Sequence, residues 1–152
     1  MRIKALIRSF ANRSLVRQEE GELLFTEYGL SGIPALQASL ALGPCLQAGG
    51  AAEVSLHLFP QWEDLPAMLA AQAARRRGLP AGQLFTGLLH KRLSALVLER
   101  AGVSGNTPCD ALGRGALSAL SSVCGDFRLN VTGTQGFPSA QVTGGGAALS
   151  QF

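Results

Sequence analysis

The stretch Gly21-Glu-Leu-Leu-Phe-Thr-Glu-Tyr-Gly-Leu-Ser-Gly32 passes from an apolar strand, through a glycine-punctuated turn, into the start of a helix. Leu23 and Phe25 fall on one side of the strand and Leu24 and Thr26 on the other, so both faces are largely apolar and the strand is expected to be covered. Gly29 and Gly32 permit a sharp turn or a close backbone approach, because glycine alone carries no steric penalty at positive φ. Ser31 is placed to cap the helix, and Pro34 suits its first turn, where a missing N–H costs nothing. Helix N-terminal N–H groups beside Thr26, Tyr28 and Ser31 would suit a carbonyl, carboxylate or phosphate oxygen, which makes these three the candidate substrate contacts. The plainer reading of the same residues is a capped helix after a buried strand.

Outward from this stretch, residues 3–10, 14–18 and 21–26 read as three early strands separated by short polar turns, and 33–42 as a helix ended by Gly43-Pro44. Val54, Leu56 and Leu58 alternate with Ser55 and His57, a half-buried strand with Ser55 and His57 on its polar face. Leu65, Met68, Leu69 and Ala73 then form a helical stripe capped by Asp64. A second stripe, Phe85, Leu88, Leu89, Leu93, Leu96 and Val97, ends near Gly102 and leaves His90 and Lys91 exposed. A third helix is expected from Thr107-Pro108, with Asp110 in a capping-box variant and Leu112, Ala116, Leu120 and Val123 inward. The strand pattern returns over 127–131 and again over 140–143. Strands at both ends with helices between them give an α+β fold: a β-barrel-like subdomain from 1–60 and 125–152, interrupted by a small helical bundle over 61–124.

At 152 residues and 47% hydrophobic, the chain can bury one core, or a core plus a small satellite. Its net charge of +3 is too mild to argue nucleic-acid binding. The dense cluster Arg75-Arg76-Arg77 closes a helix before Gly78 and Pro80, complements the negative end of its dipole and lacks interleaved aromatic residues for base stacking. Charge within Met1 to Arg8 argues against a signal peptide, and no long uncharged apolar run is present, so no membrane partner is expected. Cys45, Cys109 and Cys124 have no Cys-x-x-Cys spacing, which suggests reduced thiols in a cytoplasmic protein, with neither a metal site nor a disulfide framework.

Hydrolytic chemistry fits poorly. Gly29-Leu-Ser-Gly-Ile33 misses the last glycine of a nucleophile elbow, and the two histidines, His57 and His90, both read as solvent-facing. Glu22 and Glu27 fall on opposite faces of a strand. The triple glycine at 144–146 is either a flexible strand exit or a bare backbone surface against which a flat ring could lie.

The opening stretch resembles the Leu-Phe-Thr-His-Tyr-Gly-x-Ser-Gly-Pro signature of the BaiN-like flavoproteins, FAD-dependent oxidoreductases that include bile-acid double-bond reductases. Val131-Thr-Gly-Thr-Gln-Gly-Phe137 and Ala140-Gln-Val-Thr-Gly-Gly-Gly146 are similar to that family's segment ending in Ala-Glu-Val-Thr-Ala-Gly-Gly-Val, and Gly87-Leu-Leu-His-Lys-Arg-Leu93 to its Gly-Leu-Leu-Pro-Lys-Arg-Leu helix. Glu27 stands where the family has histidine, so that residue's role does not transfer; Ile33 is interposed before Pro34, Gln141 replaces an acid and Gly144 an alanine. The family carries an inserted domain between two halves of an FAD-binding domain, and this chain resembles the insert alone. Gly113-Arg-Gly115-Ala-Leu-Ser118 is a poor match to the dinucleotide fingerprint, which needs a preceding strand.

The resemblance thus implies the substrate-side insert of an FAD-dependent NAD(P)H oxidoreductase of unsaturated substrates, partnered by the flanking FAD-binding domain of the same polypeptide and a small-molecule substrate. It implies Thr143, Gly144 and Gly145 near the cofactor, no FAD on this chain alone, and no catalytic residue that can be named. The alternatives are a freestanding, non-catalytic module for a small carboxylated or acyl ligand, and a purely structural or dimerising domain.

Overall fold

The computed structural model describes residues 1–140. Its fold is α+β, a five-stranded antiparallel sheet with four α-helices. The strands are β1 (Arg2–Ala11), β2 (Ser14–Thr26), β3 (Gly29–Ser31), β4 (Ala52–His57) and β5 (Phe127–Val131), in the order β3-β2-β1-β4-β5. The helices are α1 (Ile33–Gln47), α2 (Leu65–Arg75), α3 (Lys91–Arg100) and α4 (Arg114–Gly125). Among the described residues β3 and β5 are the outer strands and the sheet is open. Most of the strand expected over 140–143 lies outside them.

The β1–β2 hairpin turns on Asn12 and Arg13, both at positive φ (49° and 69°), the geometry that matches the twist of paired strands. Two expected strands, 14–18 and 21–26, are one continuous β2. The acidic run beside Gly21 reads like a turn, yet Glu20 pairs with Lys4 at 2.9 Å and Glu22 with Arg2 at 3.2 Å across to β1. Cross-strand charge pairing makes these residues ordinary occupants of a solvated sheet face.

The other face holds the core. Ala5, Ile7, Leu23, Val54 and Leu56 are buried there together with Ala38 and Leu42 of α1. Two glycines bring α1 down onto β2. A Cβ on Gly21 would lie 2.9 Å from Pro34 Cγ, and one on Gly32 would lie 2.4 Å from the Glu22 carbonyl oxygen.

Gly32, at φ 100° and ψ 167°, is the N-cap residue, and no side chain caps α1. Ser31 belongs to β3 and does not take that role, because the chain must still be extended to pair with Leu24. At its far end α1 passes through Gly43-Pro44 and continues to Gln47. Pro44 is exposed and so is Leu40, whose carbonyl loses the bond, so water can replace it.

α2 starts as expected, with Asp64 Oδ1 accepting from Ala67 N at 2.9 Å, and buries Leu65, Leu69 and Ala73. The second helix begins later than its apolar spacing implies: Phe85, Leu88 and Leu89 sit in turns, and α3 starts after His90, whose Nδ1 accepts from Arg92 N at 3.3 Å. Leu96, expected inward, is exposed, while Leu93, Ser94, Val97 and Leu98 are buried. The third helix also starts later, at Arg114, after a 3-10 turn over Cys109–Ala111. Asp110 caps nothing in it; its Oδ1 accepts from Gly78 N at 3.0 Å and its other oxygen pairs with Arg77.

Loops 79–82 and 105–109 are zipped together by Ala81 N to Thr107 O (2.7 Å), Gly82 N to Gly105 O (2.8 Å) and Cys109 N to Leu79 O (2.8 Å). α2 and α3 both pack against α4. One hydrophobic cluster runs from the sheet into these helices. Phe59 crosses the junction, stacking on Phe85 with centroids 6.0 Å apart and tilting against Trp62.

Gly32→Ala meets both a forbidden φ and a backbone oxygen, so it is expected to destabilise the fold by about 2–4 kcal/mol. Gly113→Ala, with open space around its Cβ position and an ordinary φ, should change stability by about 0.5 kcal/mol or less. Urea denaturation of the two variants checks the contrast.

Candidate functional site

The signature stretch forms a corner where β2, β3 and α1 meet. Thr26 pairs with Gly29, so Glu27 and Tyr28 are the two turn residues of a hairpin, and the Thr26 hydroxyl donates to Gly29 O at 3.0 Å. That hydroxyl proton is therefore used inside the turn, leaving Thr26 only acceptor capacity toward a ligand. Tyr28 is 76% exposed and Ile33, the first residue of α1, 75% exposed. Ser31 is half-buried opposite Leu24. Phe25 and Leu30 pair beneath them, and Met1 is stitched to the same edge by reciprocal bonds with Phe25 of 2.7 and 2.9 Å. The structure thus brings Thr26, Tyr28 and Ser31 to one corner. Thr143, Gly144 and Gly145 lie outside the described residues.

On the opposite side of the sheet a polar network was not legible as such. Ser55 is fully buried although it alternates onto the solvent face, because Asp126 and Arg128 cover it. Its hydroxyl donates to Asp126 Oδ1; Arg128 Nε donates to Asp126 Oδ2 at 2.8 Å and Arg128 Nη1 to Glu53 Oε1 at 2.6 Å. Burial pushes the Asp126 carboxyl up, but the hydrogen bonds from Ser55 and Arg128 and the charges of Arg128 and Arg8 outweigh it and hold it below the ordinary range. No spacing in the sequence marks Asp126, which sits at a helix-to-strand join with its partner 71 positions away.

The two histidines do separate work. Burial, and then the Arg8 cation, pull the half-buried His57 imidazole below its ordinary value, and its Nδ1 accepts from Phe59 N at 3.2 Å. His90 is exposed and caps α3. Both histidine Nδ1 atoms accept from backbone N–H groups, and neither is bonded to Ser31 of the Gly29-Leu-Ser-Gly-Ile33 run among the described residues. Of the arginine run that closes α2, the half-buried Arg76 donates to Thr86 O at 2.6 Å and the exposed Arg77 pairs with Asp110 at 3.5 Å. Among the described residues no group of three or more His, Cys, Asp or Glu could hold a metal, and no helix is long and apolar enough to cross a membrane. All three cysteines are free thiols.

Residues 1–142 match the family described as HI0933-like protein barrel and H2TH domain. The chain belongs to this family. The HI0933-like domain is also 28% identical over 153 aligned residues to the 3-dehydro-bile acid delta(4,6)-reductase of Clostridium scindens. That alignment covers 99% of this chain but 37% of the reductase, so the domain spans little more than a third of that relative's length. The BaiN-like family resemblance carried by the three motifs is thereby established.

Two outcomes follow from this geometry. Asp126→Ala leaves the Ser55 hydroxyl buried without its partner and is expected to cost about 1–3 kcal/mol in urea denaturation at pH 7. Because the folded Asp126 value is lowered, its contribution is present above the unfolded value of about 3.9 and fades as pH falls through the folded value, so variant and parent should converge in stability in acid. Burial raises the Cys109 thiol and pushes Cys124 up to about 12, whereas Cys45 is half-buried. Ellman's reagent at pH 8 should modify Cys45 alone in the folded protein and all three thiols after unfolding.

Proposed function

We propose that this domain is the substrate-side insert of a larger BaiN-like, FAD-dependent NAD(P)H oxidoreductase that reduces an unsaturated substrate. The observation that carries the reading is the β2–β3–α1 corner. There Tyr28 of the family signature and Ile33, interposed before Pro34, are left almost bare beside paired strands. Two large apolar side chains left in the open at one corner, more exposed than Leu15, Val16, Leu40, Leu79 or Leu96, offer surface that a neighbouring domain could cover. In this reading the neighbour is the flanking FAD-binding domain, and the corner closes over the flavin ring and the substrate. The domain would divide into barrel-like residues 1–60 and 125–152 and helical residues 61–124, in a cytoplasmic protein.

The described residues do not fit the phosphate half of FAD. Gly32 is required by the contact with Glu22 O, and Gly113-Arg-Gly115 opens α4 after a 3-10 turn and not after a strand, unlike a dinucleotide-binding unit. FAD would be held chiefly by the flanking domain. The flavin supplies the hydride chemistry when bound. Tyr28 would offer a phenol O–H and Ser31 a hydroxyl for orienting a substrate oxygen, while Ile33 would exclude water; Thr143 to Gly145 would lie near the cofactor by the family resemblance.

Titrating this chain with FAD while following flavin fluorescence is expected to give no saturable change at micromolar concentrations. Tight one-to-one binding would overturn the insert reading. In the longer polypeptide, Ile33→Asp is expected to keep FAD bound and lower turnover by roughly tenfold or more through water admitted at the ring; unchanged turnover would count against the corner as the cover.

A further inference from the structure

The helical half contains an open cleft of about 370 Å³ lined by Trp62, Asp64, Met68, Ala71, Gln72, Arg75 and Leu88. None of these residues belongs to the β2–β3–α1 corner, so the cleft stands apart from the flavin reading. Its size falls at the small end of ligand pockets, and its make-up follows their pattern, an apolar wall with a few polar groups at the rim. Trp62, Met68 and Leu88 are half-buried and packed on the core, so the wall is fixed from behind. The Trp62 ring is braced by Phe59 at 5.5 Å between ring centroids, and its backbone N–H donates to Phe59 O at 3.1 Å.

The charges around this wall are unequal in availability. The Asp64 carboxylate is tied to Ala67 N as the cap of α2, which sits at the positive end of the helix dipole. At the other end of the same helix, Arg76 and Arg77 are engaged by Thr86 O and Asp110, whereas Arg75 lines the cleft, is exposed and makes no ion pair among the described residues. An apolar wall ending at an available guanidinium selects a molecule with a flat hydrophobic body and an anionic end, since guanidinium matches a carboxylate in bidentate geometry. We propose that this cleft binds a small amphipathic carboxylate, its ring system against Trp62, Met68 and Leu88 and its carboxylate on Arg75.

Trp62 is the single tryptophan, so one indole N–H resonance reports on the cleft. The experiment is a titration of the 15N-labelled chain with 2-naphthoate, with the uncharged 2-naphthylmethanol as control. A saturable shift of the Trp62 indole resonance is expected with naphthoate, binding roughly five- to tenfold more tightly than the alcohol. Arg75→Gln, at an exposed position, should remove that preference while leaving the alcohol's affinity unchanged. Ala71→Phe, which fills the cleft from an exposed helix position, should abolish both shifts with the melting temperature retained. No saturable indole shift, equal affinity for acid and alcohol, or an unaltered preference in Arg75→Gln would overturn the proposal.

Discussion

The close approach of α1 to β2 is the constraint on which the rest of this fold depends. It exists because two positions eleven residues apart lack a side chain. Gly21 leaves room above the strand for Pro34, and Gly32 lets the backbone fold back against the Glu22 carbonyl. Without that approach, Ala38 and Leu42 would not reach Ile7, Leu23 and Leu56, and the apolar face of the sheet would lie open. The same approach starts α1 at Ile33, next to the β2–β3 hairpin that carries the exposed Tyr28, so core packing and candidate site adjoin one contact.

A second contact ties α3 to β5. Arg100, at the end of α3, lays its guanidinium 4.0 Å from the centroid of the buried Phe127 ring and donates to the Arg128 carbonyl at 2.6 Å. It therefore satisfies an acceptor on the outer strand while covering an aromatic of the core, a use for which arginine's planar, weakly hydrated head is suited. Arg128 in turn holds Asp126 over Ser55. The polar face of β4 is thus closed by charged groups rather than by apolar ones.

Much of this was legible in the sequence, and what escaped has a common cause. The alternation over 127–131, the Asp64 cap and the stripe of α2 depend on neighbours within a turn or a strand, and these emerged as expected, whereas the strand expected over 54–58 ends at His57 and its Ser55 is buried beneath Asp126 and Arg128. The misplaced boundaries answer to distant partners. Gly21 and its acidic neighbours look like a turn until β1 supplies Arg2 and Lys4. Asp110 looks like a cap until Gly78, 32 residues earlier, claims its oxygen. Pro44 looks like a helix stop until its solvent exposure is known. At the site, Thr26, Tyr28 and Ser31 could be grouped because they lie in one short stretch, whereas the cleft at Trp62 draws Leu88 from another segment and has no local signature.

The sheet order also has a kinetic meaning. β1 and β2 join through a two-residue turn, but β5 reaches β4 only after the chain between His57 and Phe127 has been spanned, helices included. Closing so long a flexible loop is entropically costly, and the cost falls if the intervening helices have already condensed into a compact body that presents Phe127 beside Leu56. Assembly in that order makes the β1–β2 hairpin an early element and the outer strand a late one. Low φ-values at Leu129, beside high ones at Ile7 and Leu23, are the kinetic signature it entails.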